Sequence, residues 1–80
     1  MLSREQILAK IAQKQAALKT GLLDKISNAI VDNDWEVHEQ IAIGVPEGLS
    51  RNSLRAVEKE CLNHGWVVRR VEDNLVLSLR

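Results

Sequence analysis

The chain has no tyrosine and no phenylalanine, and Trp35 and Trp66 are its only aromatic residues. Both open apolar stretches, so they read as core or core-edge residues rather than a platform on which bases stack. Cysteine is equally scarce: Cys61 stands alone, which excludes an internal disulfide and a zinc cage of several thiolates. A single thiol fits a reducing, cytoplasmic-type compartment. No unbroken apolar run occupies residues 1–20, so no signal peptide is expected. No window approaches the roughly 18 apolar residues of a membrane span. Excess charge is missing as well. Lys+Arg and Asp+Glu both number 11, and a formally neutral chain has no bulk field to draw it onto nucleic acid or anionic lipid.

What is present is an ordinary globular composition, 45% apolar over 80 residues. That suffices for one domain spanning 1–80 with one core, and a chain of this size buries only roughly 60–65% of its unfolded surface. Charge is unevenly spread. Glu36, Glu39 and Glu47 occupy residues 35–50 with no base, whereas residues 51–80 carry six bases against four acids.

Leu2-Ser3-Arg4-Glu5-Gln6-Ile7 reads as a helix start, with Ser3 as cap, Gln6 at the reciprocal box position and Leu2 able to staple onto Ile7. Ile7, Leu8, Ile11 and Leu18 recur at helical spacing, while Lys10, Gln13, Lys14 and Gln15 fill the other face. This stripe is thin and rich in alanine, and it suits close contact with another helix, within the chain or from a second copy. Thr20-Gly21 predicts a break, Gly21 ending one helix and Thr20 capping the next. The alternative is one helix running through, at a cost of about 1 kcal/mol for the glycine. Leu22, Leu23, Ile26, Ala29 and Ile30 form a fuller stripe on either reading.

After the turn signal Asp32-Asn33-Asp34, the alternation of Trp35, Val37, Ile41 and Ile43 against Glu36, His38 and Gln40 predicts a strand over 35–43. Glu39 falls on its apolar side and breaks the pattern, as a bulge or a strand end does. A loop at Gly44-Val45-Pro46-Glu47-Gly48 leads to a third helix capped by Ser50. That helix carries Leu54, Val57, Cys61 and Leu62 on one face, with Gly65 as a left-handed terminator and Trp66 beyond it. Residues 66–71 and 75–79 read as strands of a hairpin around Glu72-Asp73-Asn74, with Leu75, Leu77 and Leu79 on one face. A two-residue loop at Asp73-Asn74 sets Val68 and Arg70 opposite Leu79 and Leu77. A three-residue loop sets Val67 and Val71 there and buries more apolar surface, which favours it. The order is α-α-β-α-β-β, an α+β domain whose three-stranded antiparallel sheet packs against helices. The helix over 1–20 is free to project as an interaction element.

Little in the chain could carry chemistry. Cys61-Leu62-Asn63-His64 has a Cys–x–x–His spacing, but His38 and Glu39 are the only other cluster on offer, and two scattered candidates fall short of a metal site. Cys61 lies on an apolar face, where a thiol is inert, and Glu36 and Glu39 fall on opposite faces of their strand, so neither a nucleophile–base pair nor a carboxylate pair emerges. Gly44 and Gly48 lack the Lys–Ser/Thr ending of a phosphate loop. The expectation is no catalytic residue, no cofactor, no metal and no enzymatic activity.

Two surfaces remain. The first is the seam Ile7, Ile11 and Leu18, which a monomer of this size does not fully cover. The second is a set of arginines. The helix over 51–63 followed by the 66–79 hairpin resembles the recognition helix and wing of a winged-helix domain, with Arg51, Asn52 and Arg55 near the helix N-terminus and Arg69 and Arg70 in the wing. Against it, the tight helix–turn–helix that should precede the wing is replaced by a strand and a proline loop, and Glu58, Glu60, Glu72 and Asp73 dilute the patch.

From about Ile26 onward a larger pattern stands out: Asn28-Ala29-Ile30, then Trp35-Glu36-Val37, Pro46-Glu47-Gly48, His64-Gly65-Trp66-Val67-Val68 and Asp73-Asn74-Leu75-Val76-Leu77-Ser78. This pattern resembles small accessory or virion-associated proteins of tailed bacteriophages and prophages. Its motifs are fold determinants, so no functional residue transfers. The resemblance implies a short interaction module that binds a virion component or a host protein. The seam Ile7, Ile11 and Leu18 adds a second copy as a partner, and composition leaves nucleic acid as the less favoured partner and no membrane.

Overall fold

Helix α1 runs unbroken from Arg4 to Asp32 in the computed structural model, which describes residues 1–79. The predicted break at Gly21 is therefore absent, and the first two helices are one. The stripe explains why. Ile7, Leu18 and Ala29 repeat every 11 residues, and Ile11 and Leu22 do the same. Three turns of α-helix take close to 11 residues, so all five side chains keep one side of a nearly straight rod. Breaking at Gly21 would turn Leu22 and Ile26 off the core, and each is worth about 1.5–3 kcal/mol when buried. A glycine in a helix interior costs about 1 kcal/mol. Continuity wins. At the N-terminus the capping box forms as the sequence suggests: Gln6 N–H donates to Ser3 Oγ at 3.1 Å, and Ser3 N–H to Gln6 Oε1 at 2.8 Å.

The first strand is shorter than its alternation predicts. Strand β1 spans Gln40–Gly44. Residues 34–38 instead form a turn, in which the Asp34 carbonyl accepts from the Val37 and His38 amides at 3.0 and 2.8 Å, and Asp34 Oδ1 accepts from the Glu36 amide at 3.2 Å. The misfit at Glu39 thus marks where the strand begins. Trp35 serves the helix rather than the sheet. Its indole N–H donates to the Ile30 carbonyl at 2.8 Å, satisfying one of the acceptors that a helix C-terminus leaves open.

Helix α2 spans Arg51–Asn63, with Ser50 Oγ accepting from the Ser53 amide at 3.2 Å. It stops at Gly65, which holds φ 88°. Trp66 N–H bonds the Cys61 carbonyl and Gly65 N–H the Leu62 carbonyl, the paired bonds of a Schellman stop. Trp66 then meets Trp35, ring centroids 5.2 Å apart and tilted by 34°, so the C-terminal ends of both helices are tied together.

Strands β2 (Val67–Val71) and β3 (Asn74–Ser78) make the hairpin, and β1 pairs antiparallel with β3, giving the sheet order β1-β3-β2. The hairpin register matches neither sequence alternative. The loop is Glu72-Asp73, with Glu72 at φ 55°, and Val68 faces Leu77 while Arg70 faces Leu75. Val67 and Val71 consequently lie on the other face and remain exposed. What makes this register tolerable is Arg70. Its side chain would be costly over a core, but it reaches the rim and pairs with Glu58 of α2.

α1 lies over β1 and α2 over β2, side by side on one face of the sheet. Leu22, Ile26, Ile41, Ile43, Val57, Cys61, Leu75 and Leu77 form the core between. The expected α+β class and three-stranded antiparallel sheet hold. Among the described residues no helix is long and apolar enough to cross a membrane.

Candidate functional site

The body ends before α1 does. The last hydrogen-bonded attachment toward the helix N-terminus is Gln15, whose side-chain amide grips the loop between β1 and α2 twice: Nε2 donates to the Gly48 carbonyl at 2.7 Å, and Oε1 accepts from the Ser50 amide at 2.8 Å. Leu18 packs beside Gly48 in the same place and is half-buried. The Lys14 side chain reaches back over Gly48, and residues 4–13 continue past this clamp as a rod about 15 Å long. The molecule accordingly measures 56 × 22 × 18 Å.

Of the three seam residues, only Leu18 is covered in part. Ile7 is 43% exposed and Ile11 52%, with Leu2 and Leu8 at 50% each. Leu2 precedes the helix, but the phase of Ile7, Leu8 and Ile11 on the rod is close to that of Leu22 and Ile26, so this bare stripe continues the side on which the body lies. Gln15, which polarity alone puts on the opposite face, sits on the stripe. It comes four residues after Ile11 and three before Leu18, and that polar residue in apolar phase is the signal that could have found it.

The loop between β1 and α2 carries charges of both signs, with Glu47 beside Asp73 and the Lys14 side chain against Gly48. Val45 N–H bonds the Asp73 carbonyl at 2.8 Å, which brings the hairpin turn beside the proline loop. Val45, Pro46, Glu47 and Asp73 line a cleft of about 390 Å³ there. The overhang itself carries Arg4 and Lys10 against Glu5 alone.

A second cleft, about 420 Å³, opens between the helices and is walled by Leu23, Ile26, Ile30, Cys61, His64 and Trp66. Cys61 is buried, and burial pushes its thiol pKa up, with the charges of Glu60 and Glu58 pushing the same way. At neutral pH it is a protonated, unreactive core group. His64 does not turn to the thiol or the helix carbonyls; its Nε2 lies 3.0 Å from Glu60 Oε1 at the surface. Among the described residues no three of His, Cys, Asp and Glu gather closely enough to hold a metal ion.

The four arginines are not one patch. Arg51 and Arg55 are exposed on α2. Arg70 is committed to Glu58, with its Nε and Nη2 on the two carboxylate oxygens, and that hydrogen bond raises its pKa. Arg69 is its neighbour in an extended strand and so points to the opposite face of the sheet, toward Gln40 Oε1 at 3.5 Å. No family model, no curated protein and no solved structure matches the chain.

Proposed function

We propose that this chain is a non-enzymatic protein-interaction module of phage type, which acts by offering the overhanging stripe of α1 to another protein. One observation carries the reading: Ile7, Leu8 and Ile11 stand bare on a capped rod, with Leu2 just before its cap, that the body clamps at Gln15 and leaves uncovered beyond it. Three large apolar side chains in one stripe of an exposed helix are the kind of surface that marks an interaction site, and an amphipathic helix read at i, i+4 spacing is a standard anchor. On the phage-type reading the protein that receives it is a virion component, a host factor or a second copy. The test is capture from host lysate with the Ile7→Glu/Ile11→Glu chain beside the unaltered one. The reading requires that specific captured species vanish with the double substitution and survive Arg55→Glu. Equal capture by both chains would reject it.

A second reading, a nucleic-acid-binding regulator, draws support from exposed Arg51 and Arg55 at the start of α2 and the hairpin that follows it. The committed Arg70 and the opposed Arg69 count against it. If it held, duplex affinity would fall steeply with salt and with Arg51→Glu/Arg55→Glu. Binding that is absent or indifferent to salt removes it.

A further inference from the structure

We infer that the free edge of β1 receives an extended segment of another protein as a fourth strand, with the outer flank of α1 walling that segment in. This site is separate from the overhang and does not rest on it.

The backbone pattern names the occupant. β1 is an edge strand, bonded to β3 alone. Val45 N–H donates to the Asp73 carbonyl, and Leu79 N–H to the Glu39 carbonyl. Residues 39 and 45 therefore turn their backbone groups toward β3, and Ile41 and Ile43 do the same by the alternation of an antiparallel ladder. Gln40, Ala42 and Gly44 point theirs outward. All three residues are exposed, and among the described residues none of these outward groups has a hydrogen-bond partner. A row of donors and acceptors at every second residue is complementary to the backbone of another strand. The edge is also unguarded. Gln40–Gly44 carries no charge, no proline and no bulge, whereas the other edge, β2, carries Arg69 and Arg70.

A second copy does not fit this edge. α1 lies over β1, and paired strands stand about 4.8 Å apart. Two copies of α1 would be forced to nearly that spacing, well inside the roughly 8–10 Å that packed helices need. The added strand must come without a helix above it.

The flank of α1 supplies the specificity. Leu23, Ser27 and Ile30 turn toward α2, with which they wall the cleft between the helices. Gly21 stands about 200° from Leu23 around the axis and so lies on the opposite flank, above the free edge. There Ala17, Leu18, Gly21, Leu22, Lys25 and Pro46 line a cleft of about 160 Å³. A strand added antiparallel to β1 points every second side chain toward α1. Its residue opposite Ile43 enters the cleft, where aliphatic walls and the bare Gly21 suit a valine. Lys25 is the one charged residue among those lining the cleft, and it has no ion pair among the described residues. A carboxylate fits beside it, opposite Val45. Glu47, next to Pro46, turns instead to the cleft it shares with Asp73. At the other end of β1, Glu39 and the Asp32 that ends α1 favour a base. The two ends thus give the segment its direction.

The probe is a capped peptide, Glu-Thr-Val-Thr-Val-Thr-Lys, with its glutamate set opposite Val45 and its threonines on the open face of the sheet. It is titrated into the whole chain and followed by amide NMR. At tenfold excess over its dissociation constant it should slow hydrogen exchange of the Gln40, Ala42 and Gly44 amides by about tenfold, and that of Ile41 and Ile43 far less. Gly21→Leu puts a side chain into the cleft from a position with open space around it. It should weaken binding by about tenfold while the helix stays intact by circular dichroism. Lys25→Glu should weaken binding by about fivefold, and a peptide that begins with lysine should recover that loss. N-methylation of the threonine amide opposite Ala42 should abolish binding. No protection at about 5 mM peptide, where even a weak complex forms, would overturn the inference. So would protection that fails to alternate along β1, or binding indifferent to Gly21→Leu or to N-methylation. A dimer protected at the same three amides without peptide would put a second copy on the edge and overturn it equally.

Discussion

Ile11 and Leu22 stand 11 residues apart on α1, at nearly the same angle around its axis, yet Leu22 is 1% exposed and Ile11 52%. No local property separates them. Both are large aliphatic residues in a good helical context, and both continue one stripe. What differs is where the body stops. The sheet and α2 reach along α1 only as far as the loop held by Gln15, and beyond it the same sequence logic that builds a core builds an open surface. A helix stripe longer than the body it packs on is therefore the informative feature, and it becomes visible only when burial is read along the stripe.

The comparison is broken most directly by truncating each residue in turn. Leu22→Ala should cost about 2–5 kcal/mol, the range for emptying a packed aliphatic site. That is a large fraction of the stability of a domain this small. Ile11→Ala should cost less than about 0.5 kcal/mol when unfolding is followed at nanomolar concentration, on the order at which weak pairs have separated. Urea unfolding monitored by tryptophan fluorescence measures both. A comparable cost at the two positions in the dilute monomer would mean that the overhang is covered by its own chain.

The boundary between the two halves is the next target. Gln15→Ala removes both hydrogen bonds to the loop, and since they lie at the surface the net loss should be about 1 kcal/mol. Its local signature matters more than its size. Hydrogen exchange at the Ser50 amide, which donates to Gln15 Oε1, should speed up, and the protection of the helix should retreat from residue 15 toward residue 18. Unchanged exchange at Ser50 would mean that the clamp does not set where the body ends.

The parts legible in the sequence are those with local causes. The Ser3–Gln6 box, the Ser50 cap and the Gly65 stop are each settled within five residues, and all three form. So are the α+β class and the stripes that make the core. What escaped depends on partners distant in sequence. The strand over 35–43 shrank to Gln40–Gly44 because Trp35 caps α1 and stacks on Trp66. The hairpin slipped from both expected registers because Glu58, 12 residues before Arg70, makes an inward arginine acceptable. Apolar counting favoured Val67 and Val71 and could not see that pair. For the candidate site, Ile7 and Ile11 were legible as an uncovered seam, while the clamp at Gln15 and the meeting of Glu47 with Asp73 needed the fold. The arginines illustrate the converse. Arg69 and Arg70 are adjacent in the sequence, and that adjacency itself sends them to opposite faces of a strand.

The smallest expected effect tests continuity between the two halves, and its sign carries the information. Gly21 lies inside α1, and a methyl group placed on it would meet nothing within 4 Å. Gly21→Ala should then stabilise the chain by about 0.5–1 kcal/mol, because alanine loses less backbone entropy on entering a helix. For a domain of this size that raises Tm by about 3–8 °C. Had the helix ended at Thr20-Gly21, the glycine would occupy a left-handed terminating position. Alanine there is strained and lowers stability by about 1 kcal/mol. A thermal melt of this one variant separates a single rod from two helices. With a single rod, the clamp at Gln15 holds the overhang rigidly to the body, and a partner meets a stripe already fixed in direction. With two helices, that stripe would have to be ordered on binding, at a cost in affinity.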